Sequence, residues 1–168
     1  KVKLNEEKKD CMRPRILKRG PVLDGDLRGI YAPKLVSKDA SLRFNCKKKA
    51  SKITIIGLTA LEGGYPLGEY GKELGELSIE YIDGERESLI LKNGIHVTTA
   101  FTLNGSSRIS ARAERAIPFA EFGYDKNFEC YTLNRLDIEI KNSKEVSSLI
   151  LRATENIPLL VYGVFGDR

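Results

Sequence analysis

Several residue types that carry chemistry in proteins are scarce in this sequence. The 168 residues include no tryptophan, a single histidine and three cysteines. The cysteines are Cys11, Cys46 and Cys130. Because their number is odd and no two are at metal-ligand spacing, a zinc site and a disulfide scaffold are disfavoured. One disulfide bridge with one free thiol stays open. His96 has no identifiable nucleophile as partner, which disfavours catalysis by a histidine base.

Long hydrophobic segments are also missing. The longest apolar run, over residues 157–165, is far shorter than the roughly 20 residues that span a bilayer. The first ten residues, KVKLNEEKKD, contain no apolar signal-peptide region and no initiator Met, so we expect a piece of a longer protein or a shortened clone. An extracellular location, as part of a secreted enzyme, is favoured, and a cytoplasmic location stays open.

The composition is that of a globular protein, with 41% hydrophobic and 30% charged residues. The net charge of +5 permits an acidic polymer as partner, but the basic residues are spread along the chain, and we expect no nucleic-acid partner. The short basic run at residues 47–49 could contact a polyanion, but a solvated hairpin tip is favoured because a run of three is short. The length fits one domain, over residues 15–168, preceded by a charged arm or linker over residues 1–14.

The stretch over residues 75–101, GELSIEYIDGERESLILKNGIHVTTAF, predicts a β-meander. Apolar and polar residues alternate in its first and third parts, as in strands with one buried face. Asp83-Gly84 and Asn93-Gly94 separate the three parts and tolerate the positive φ of a tight hairpin turn. In the third part the alternation predicts that His96 faces outward.

Further short strands are predicted on both sides of the meander. The run over 51–61, SKITIIGLTAL, predicts one strand buried on both faces, and 157–165 predicts a closing buried strand. Other predicted strands cover residues 15–18, 27–36, 41–46, 108–114, 136–141 and 146–153, and aromatic-rich loops are predicted over 62–74 and 117–127. Many short strands without an amphipathic helix are typical of an all-β protein, and we expect one antiparallel β-sandwich of jelly-roll type.

One segment, LGELSIEYIDGERESLILKNG, resembles a motif of non-catalytic β-sandwich domains attached to bacterial glycoside hydrolases. The matching residues are Gly75, Tyr81, Asp83, Gly84, Leu89, Leu91, Asn93 and Gly94. With similar flanking segments, the resemblance covers residues 28–165 and implies a galactose-binding-like jelly roll, the fold of many carbohydrate-binding modules. Those domains often carry Trp in the loops and after the meander, where this chain has Phe101.

Two candidate binding sites follow. The loop over 62–74 presents Tyr65, Glu69 and Tyr70, which could stack on a sugar ring and accept hydroxyl hydrogen bonds; alternatively both tyrosines pack over the end of the sandwich. The second candidate is a face with Arg108, Arg112, Arg115 and Tyr124. Its arginines could bind carboxylates or vicinal hydroxyls, or form a solvated face with ion pairs to Glu114 or Glu121.

No cofactor is expected, and a structural calcium ion is the one option left open. Asp24, Asp26 and Asp39 could contribute oxygen ligands, but the EF-hand pattern is absent and plain turns are favoured. Many glutamates lie on predicted strands, yet none forms a recognisable catalytic carboxylate pair.

The resemblance and the loop residues together favour a non-catalytic carbohydrate-binding module, part of a larger glycoside hydrolase. Its expected partners are a polysaccharide or oligosaccharide and the catalytic domain of the parent enzyme. The main alternative is a structural or interaction domain that packs on a catalytic domain or partner without binding sugar. A small β-sandwich enzyme, such as a polysaccharide lyase, would need His, Tyr, Arg or carboxylates clustered in one groove.

Overall fold

A computed structural model describes residues 15–16, 34–61, 63–65, 67–99, 113–123, 130–140 and 144–166. Within these ranges the chain is all-β and contains no helix, which confirms the predicted fold class at that level. The strands are β1 (Arg15–Ile16), β2 (Lys34–Val36), β3 (Ser41–Lys49), β4 (Lys52–Ile56), β5 (Thr59–Ala60), β6 (Glu73–Tyr81), β7 (Arg86–Lys92), β8 (Thr98–Thr99), β9 (Ala116–Gly123), β10 (Cys130–Glu139), β11 (Glu145–Ala153), β12 (Leu159–Val161) and β13 (Gly163–Gly166).

The strands form three sheets, and their layout is consistent with a β-sandwich. The first sheet has the order β1-β9-β10-β4-β13, the second β3-β11-β6-β7 and the third β2-β12-β5-β8. Paired strands are antiparallel except for β5 and β8, which run parallel. The arm predicted over residues 1–14 lies outside the described residues.

One hydrophobic core joins all three sheets. Ile55 of β4, Leu77 of β6 and Leu159 of β12 belong to the same buried cluster, each at most 1% exposed. Alternation places such residues on the inner faces: in β10, Leu136 and Ile138 are buried while Glu139 is exposed. Burial of each large aliphatic side chain contributes about 1.5–3 kcal/mol, so this core holds the sheets and the loops between them in place.

The predicted meander is correct for its first two strands and wrong for the third. β6 and β7 form a hairpin whose turn includes Gly84 at a φ of 87°, as predicted. After Asn93 the chain folds back on itself, because the Gly94 N–H donates to the Val97 carbonyl at 2.9 Å. The next strand, β8, therefore leaves the hairpin and pairs with β5 in the third sheet.

Two predicted single strands are each split between sheets. The run over 51–61 is buried as predicted, but Gly57 has a φ of 71° and turns the chain from β4 into β5. The run over 157–165 divides into β12 and β13 around Tyr162, whose N–H donates to the Ile56 carbonyl at 3.0 Å. Each split moves the chain from one sheet to another.

Two further local predictions are wrong. Much of the loop predicted over 117–127 is strand β9, in which Pro118 pairs with Asn134 where the register shifts. A proline is tolerated at such an irregularity because its missing N–H breaks no regular ladder bond. Residues 47–49 end β3, and β4 follows in a different sheet, so they do not form a hairpin tip.

Candidate functional site

Three segments meet beside the β6–β7 hairpin. They are the loop before β6, the turn after β7 and the turn that ends at Arg115. The Gly94 carbonyl accepts from the Glu114 N–H at 2.9 Å, and the Ile95 carbonyl accepts from the Arg115 N–H at 3.0 Å. We call the place where they meet the tyrosine site, made up of Tyr65, Tyr70, Asn93, Gly94, His96, Glu114 and Arg115.

Asn93 connects the loop to the turn from the inside. Its side chain is fully buried, and Oδ1 accepts from the Tyr65 N–H at 2.5 Å while Nδ2 donates to the Glu69 carbonyl at 3.0 Å. Its backbone N–H donates to the Lys72 carbonyl at 2.8 Å. Because a buried amide needs partners on both sides, Asn93 fixes the backbone positions of the two tyrosines.

The two tyrosine rings pack edge to face over Gly94. Their centroids lie 5.9 Å apart with an interplanar angle of 74°, a favourable arrangement for aromatic pairs. A Cβ at Gly94 would lie 2.5 Å from Cδ2 of Tyr70 and 3.1 Å from Cδ2 of Tyr65, so only glycine leaves room for both rings. Tyr70 remains 51% exposed, and its ring offers a surface to solvent.

Glu114 orients the exposed ring. The Tyr70 hydroxyl donates a hydrogen bond to Oε1 of Glu114 across the gap between the two segments. This hydrogen bond to a carboxylate raises the pKa of Tyr70, so the ring stays neutral and keeps its hydroxyl proton. The site thus presents an oriented ring next to an acceptor carboxylate.

His96 and Arg115 form the other side of the site. His96 is only 8% exposed, and its Nδ1 accepts from the Lys92 backbone N–H at 3.0 Å. Its Nε2 lies 3.4 Å from Nη1 of the exposed Arg115. Burial, followed by the positive charges of Arg115 and Lys92, lowers the pKa of His96 below 6.5, which keeps the ring neutral at pH 7.

The structure brings together residues from both predicted sites. Tyr65 and Tyr70 of the predicted loop share one location with Arg115 of the predicted arginine face. Glu69 contributes its backbone carbonyl, and its side chain is exposed. Arg108, Arg112 and Tyr124 lie outside the described residues.

Some expectations about this region are wrong. His96 is buried rather than outward-facing, because it sits in a turn where strand alternation does not apply. Glu114, predicted to end a strand, lies in a turn with Arg115. The sequence interpretation also missed Asn93 and Glu114 as members of the site; the Asn93-Gly94 turn signal was the only local indication of the first.

The described residues give no support to a metal site. Asp39 lies in the predicted turn with a φ of 66°, while Asp24 and Asp26 fall outside the described ranges. In the part of the chain that the structure covers, no three His, Cys, Asp or Glu side chains are grouped to hold a metal ion. A helix suited to crossing a membrane is likewise not found in this part.

No family model, no curated protein and no solved structure matches this chain.

Proposed function

We propose that this chain is a non-catalytic carbohydrate-binding module, with a jelly-roll sandwich of the galactose-binding-like kind, that works alongside a glycoside hydrolase. The observation that supports this most is the Tyr70 ring, which is half exposed yet held by Tyr65, Gly94 and Glu114. An aromatic face fixed in this way can stack on the C–H groups of a pyranose without losing much side-chain entropy on binding.

The groups around the ring suit sugar hydroxyls. The Glu114 carboxylate has further acceptor capacity beyond its bond from Tyr70, and Arg115 offers planar N–H donors. Ring, acceptor and donor lie on adjoining segments, so a single sugar unit could contact all three. The jelly-roll assignment and the link to a glycoside hydrolase rest on the sequence resemblance.

Binding without covalent chemistry fits the state of these groups. The Nδ1 lone pair of His96 is occupied by the Lys92 N–H, and its pKa is lowered, so the ring is a poor general base. The Glu114 carboxylate accepts a hydrogen bond from the Tyr70 hydroxyl, and its remaining lone pairs can accept hydrogen bonds from sugar hydroxyls. We therefore propose that the site recognises a glycan and leaves it intact.

The proposal is tested by a glycan array and polysaccharide pull-down on the domain, with and without calcium. Each hit is repeated with Tyr70→Ala, Tyr70→Phe and Tyr65→Ala. We expect Tyr70→Ala to abolish binding and Tyr70→Phe to retain most of it, because phenylalanine keeps the stacking face. Ile82→Ala is the matched control, since Ile82 is an exposed apolar residue, 55% exposed, on the β6–β7 turn.

A specific observation favours the interaction domain as second candidate. Leu67 is 69% exposed on the same loop as the half-exposed Tyr70, and two exposed apolar side chains on one loop also suit a protein partner. Absence of binding to every neutral and acidic glycan would contradict the carbohydrate proposal and favour this candidate. Binding that persists in Tyr70→Ala would keep the function and exclude the tyrosine site.

A further inference from the structure

Two hydrogen-bond donors at the tyrosine site face each other. Nε2 of His96 and Nη1 of Arg115 lie 3.4 Å apart. A neutral imidazole has one acceptor nitrogen, and here Nδ1 is that acceptor because the Lys92 N–H donates to it at 3.0 Å. The ring proton is therefore on Nε2, so Nε2 offers no lone pair that could accept a hydrogen bond from Arg115.

The tautomer of His96 is set by its bond from the Lys92 backbone and not by Arg115. The Lys92 N–H belongs to the backbone at the end of β7, and the Lys92 carbonyl accepts from the His96 N–H at 2.9 Å. This pair of bonds holds the residue against the strand end from both sides. Arg115, by contrast, is exposed and carries a flexible side chain, so its approach to Nε2 cannot dictate the position of the ring proton.

In the part of the chain that the structure describes, the two donors are not paired with an anion. No carboxylate of the described residues lies within ion-pair distance of the Arg115 guanidinium, and the nearest in sequence, Glu114, accepts from Tyr70. The His96 side chain is largely buried, with 8% of the residue exposed, and its Nε2 lies beside the exposed Arg115. Among the described residues, Nε2–H has no acceptor, and a largely buried donor without an acceptor costs stability. An oxygen acceptor that reaches the pair beside Arg115 would remove this cost.

We propose that His96 Nε2–H and Arg115 together bind an oxyanion of the ligand, so that the preferred glycan is acidic. Two donors at this separation can each meet one oxygen of a carboxylate or sulfate group, with Arg115 supplying the compensating charge. The assignment of the oxyanion to a sugar rests on the proposed function. The oxyanion site at His96 and Arg115 does not depend on that function. The net charge of +5 favours approach of a polyanion.

The tautomer can be measured directly. His96 is the only histidine of the chain, so the ring signals in a long-range ¹H–¹⁵N spectrum need no further assignment. At pH 7.5 we expect a neutral ring protonated at Nε2, with Nδ1 as the acceptor. A ring protonated at Nδ1 would overturn the inference, because Nε2 would then accept from Arg115, and the proposed function would be unaffected.

Ligand preference is measured with matched polymers. Polygalacturonate is compared with its methyl ester, which keeps the sugar chain and removes the charge, and a sulfated galactan is compared with its desulfated form. The two pairs separate a carboxylate from a sulfate as the recognised group. We expect the acidic member of one pair to bind about tenfold to a hundredfold more tightly, as hydrogen bonds to a charged group predict.

Two variants test whether that preference depends on the donor pair, and a third serves as the control. Arg115→Met keeps the aliphatic stem, and His96→Asn keeps an acceptor for the Lys92 N–H while removing the Nε2 donor. Each should reduce the preference for the acidic polymer by about tenfold. Arg152→Met removes the same charge from an exposed position of β11 and should leave the preference unchanged.

The outcomes separate the two proposals. Equal binding of acidic and neutral polymers that is lost in Tyr70→Ala would overturn the oxyanion site and keep the carbohydrate module. If no polymer binds, the carbohydrate proposal fails, and free galacturonate and inorganic sulfate are titrated while the Nε2 signal is followed, with galactose as the neutral control. A shift with either anion alone supports the donor pair, and no shift overturns it.

Discussion

At the scale of single residues, the tyrosine site depends on two adjacent residues, Asn93 and Gly94. Gly94 combines a φ of 75° with two tyrosine rings that occupy the space of a Cβ. Asn93 beside it is fully buried, and both ends of its amide bind the loop before β6, at the Tyr65 N–H and the Glu69 carbonyl. The Asn-Gly pair of the sequence therefore serves as more than a turn: it supports the exposed ring of Tyr70.

Gly94→Ala should destabilise the protein more than Gly84→Ala does. Both glycines have a positive φ, which costs an alanine about 1–2 kcal/mol. At Gly84 nothing lies within 4 Å of the added methyl, whereas at Gly94 the rings must shift, which adds about 1–3 kcal/mol. Urea unfolding measures the free energy of unfolding of both variants. Equal losses of that free energy would show that the two tyrosine rings shift at no cost.

His96 makes stability depend on pH near neutrality. Its pKa is lowered in the folded protein relative to 6.5, so between the two values the unfolded chain binds more protons. The contribution is fully present above pH 6.5 and is lost as the pH falls towards the folded pKa. Urea unfolding from pH 7.5 to 5.5 should show this decline in the natural protein and a flatter curve in His96→Asn.

The carboxylates do not obscure this test. Glu76, Glu80 and Asp83 have lowered pKa values because of hydrogen bonds from Ser88, Ser148 and Lys144, respectively, so their contributions are lost only at more acidic pH. A pH profile of His96→Asn identical to that of the natural protein would contradict the burial of a neutral histidine.

At the scale of elements, patterns confined to one strand could be predicted from sequence and changes of sheet could not. Period-two burial in β10 and the Asp83-Gly84 turn follow from local residue preferences. The splits at Gly57 and Tyr162, and the parallel pairing of β8 with β5, depend on partners distant in the chain. For the same reason the sequence indicated the loop with Tyr65 and Tyr70 and the face with Arg115 as two sites, without showing that they meet.

The inner and outer faces of the second sheet should respond differently to truncation. Leu151 of β11 is 1% exposed and lies between Leu42 and Leu77 on the neighbouring strands. Leu151→Ala should cost about 2–5 kcal/mol of unfolding free energy, since it leaves a cavity in the core. Ile90, 37% exposed on the edge strand β7, is the control, and Ile90→Ala should cost less than about 1 kcal/mol. Similar losses of unfolding free energy in the two variants, measured with urea, would mean that Ile90 on the outer face is also buried.

At the scale of the whole molecule, one core supports the tyrosine site, which is made from three chain segments. Asn93 follows directly from β7, and the loop with Tyr65 and Tyr70 leads directly into β6, so the β6–β7 hairpin fixes both. Leu74, Leu77 and Leu91 of these strands are fully buried in the core. Loss of core packing should therefore disturb the site, while changes at the site need not unfold the sheets.

The proposed acidic ligand should bind with a salt dependence that a neutral ligand lacks. The chain carries a net charge of +5, and at about 0.15 M salt charges are screened over about 8 Å. Raising NaCl from about 50 to about 300 mM should weaken binding of polygalacturonate several-fold, because Arg115 is exposed to the screening ions. Its methyl ester should be nearly insensitive, and Arg115→Met should flatten the dependence for the acidic polymer. Arg115→Met removes the positive charge that the ligand's anionic group would contact. If the salt dependence of this variant equals that of the natural protein, the anionic group binds elsewhere on the surface.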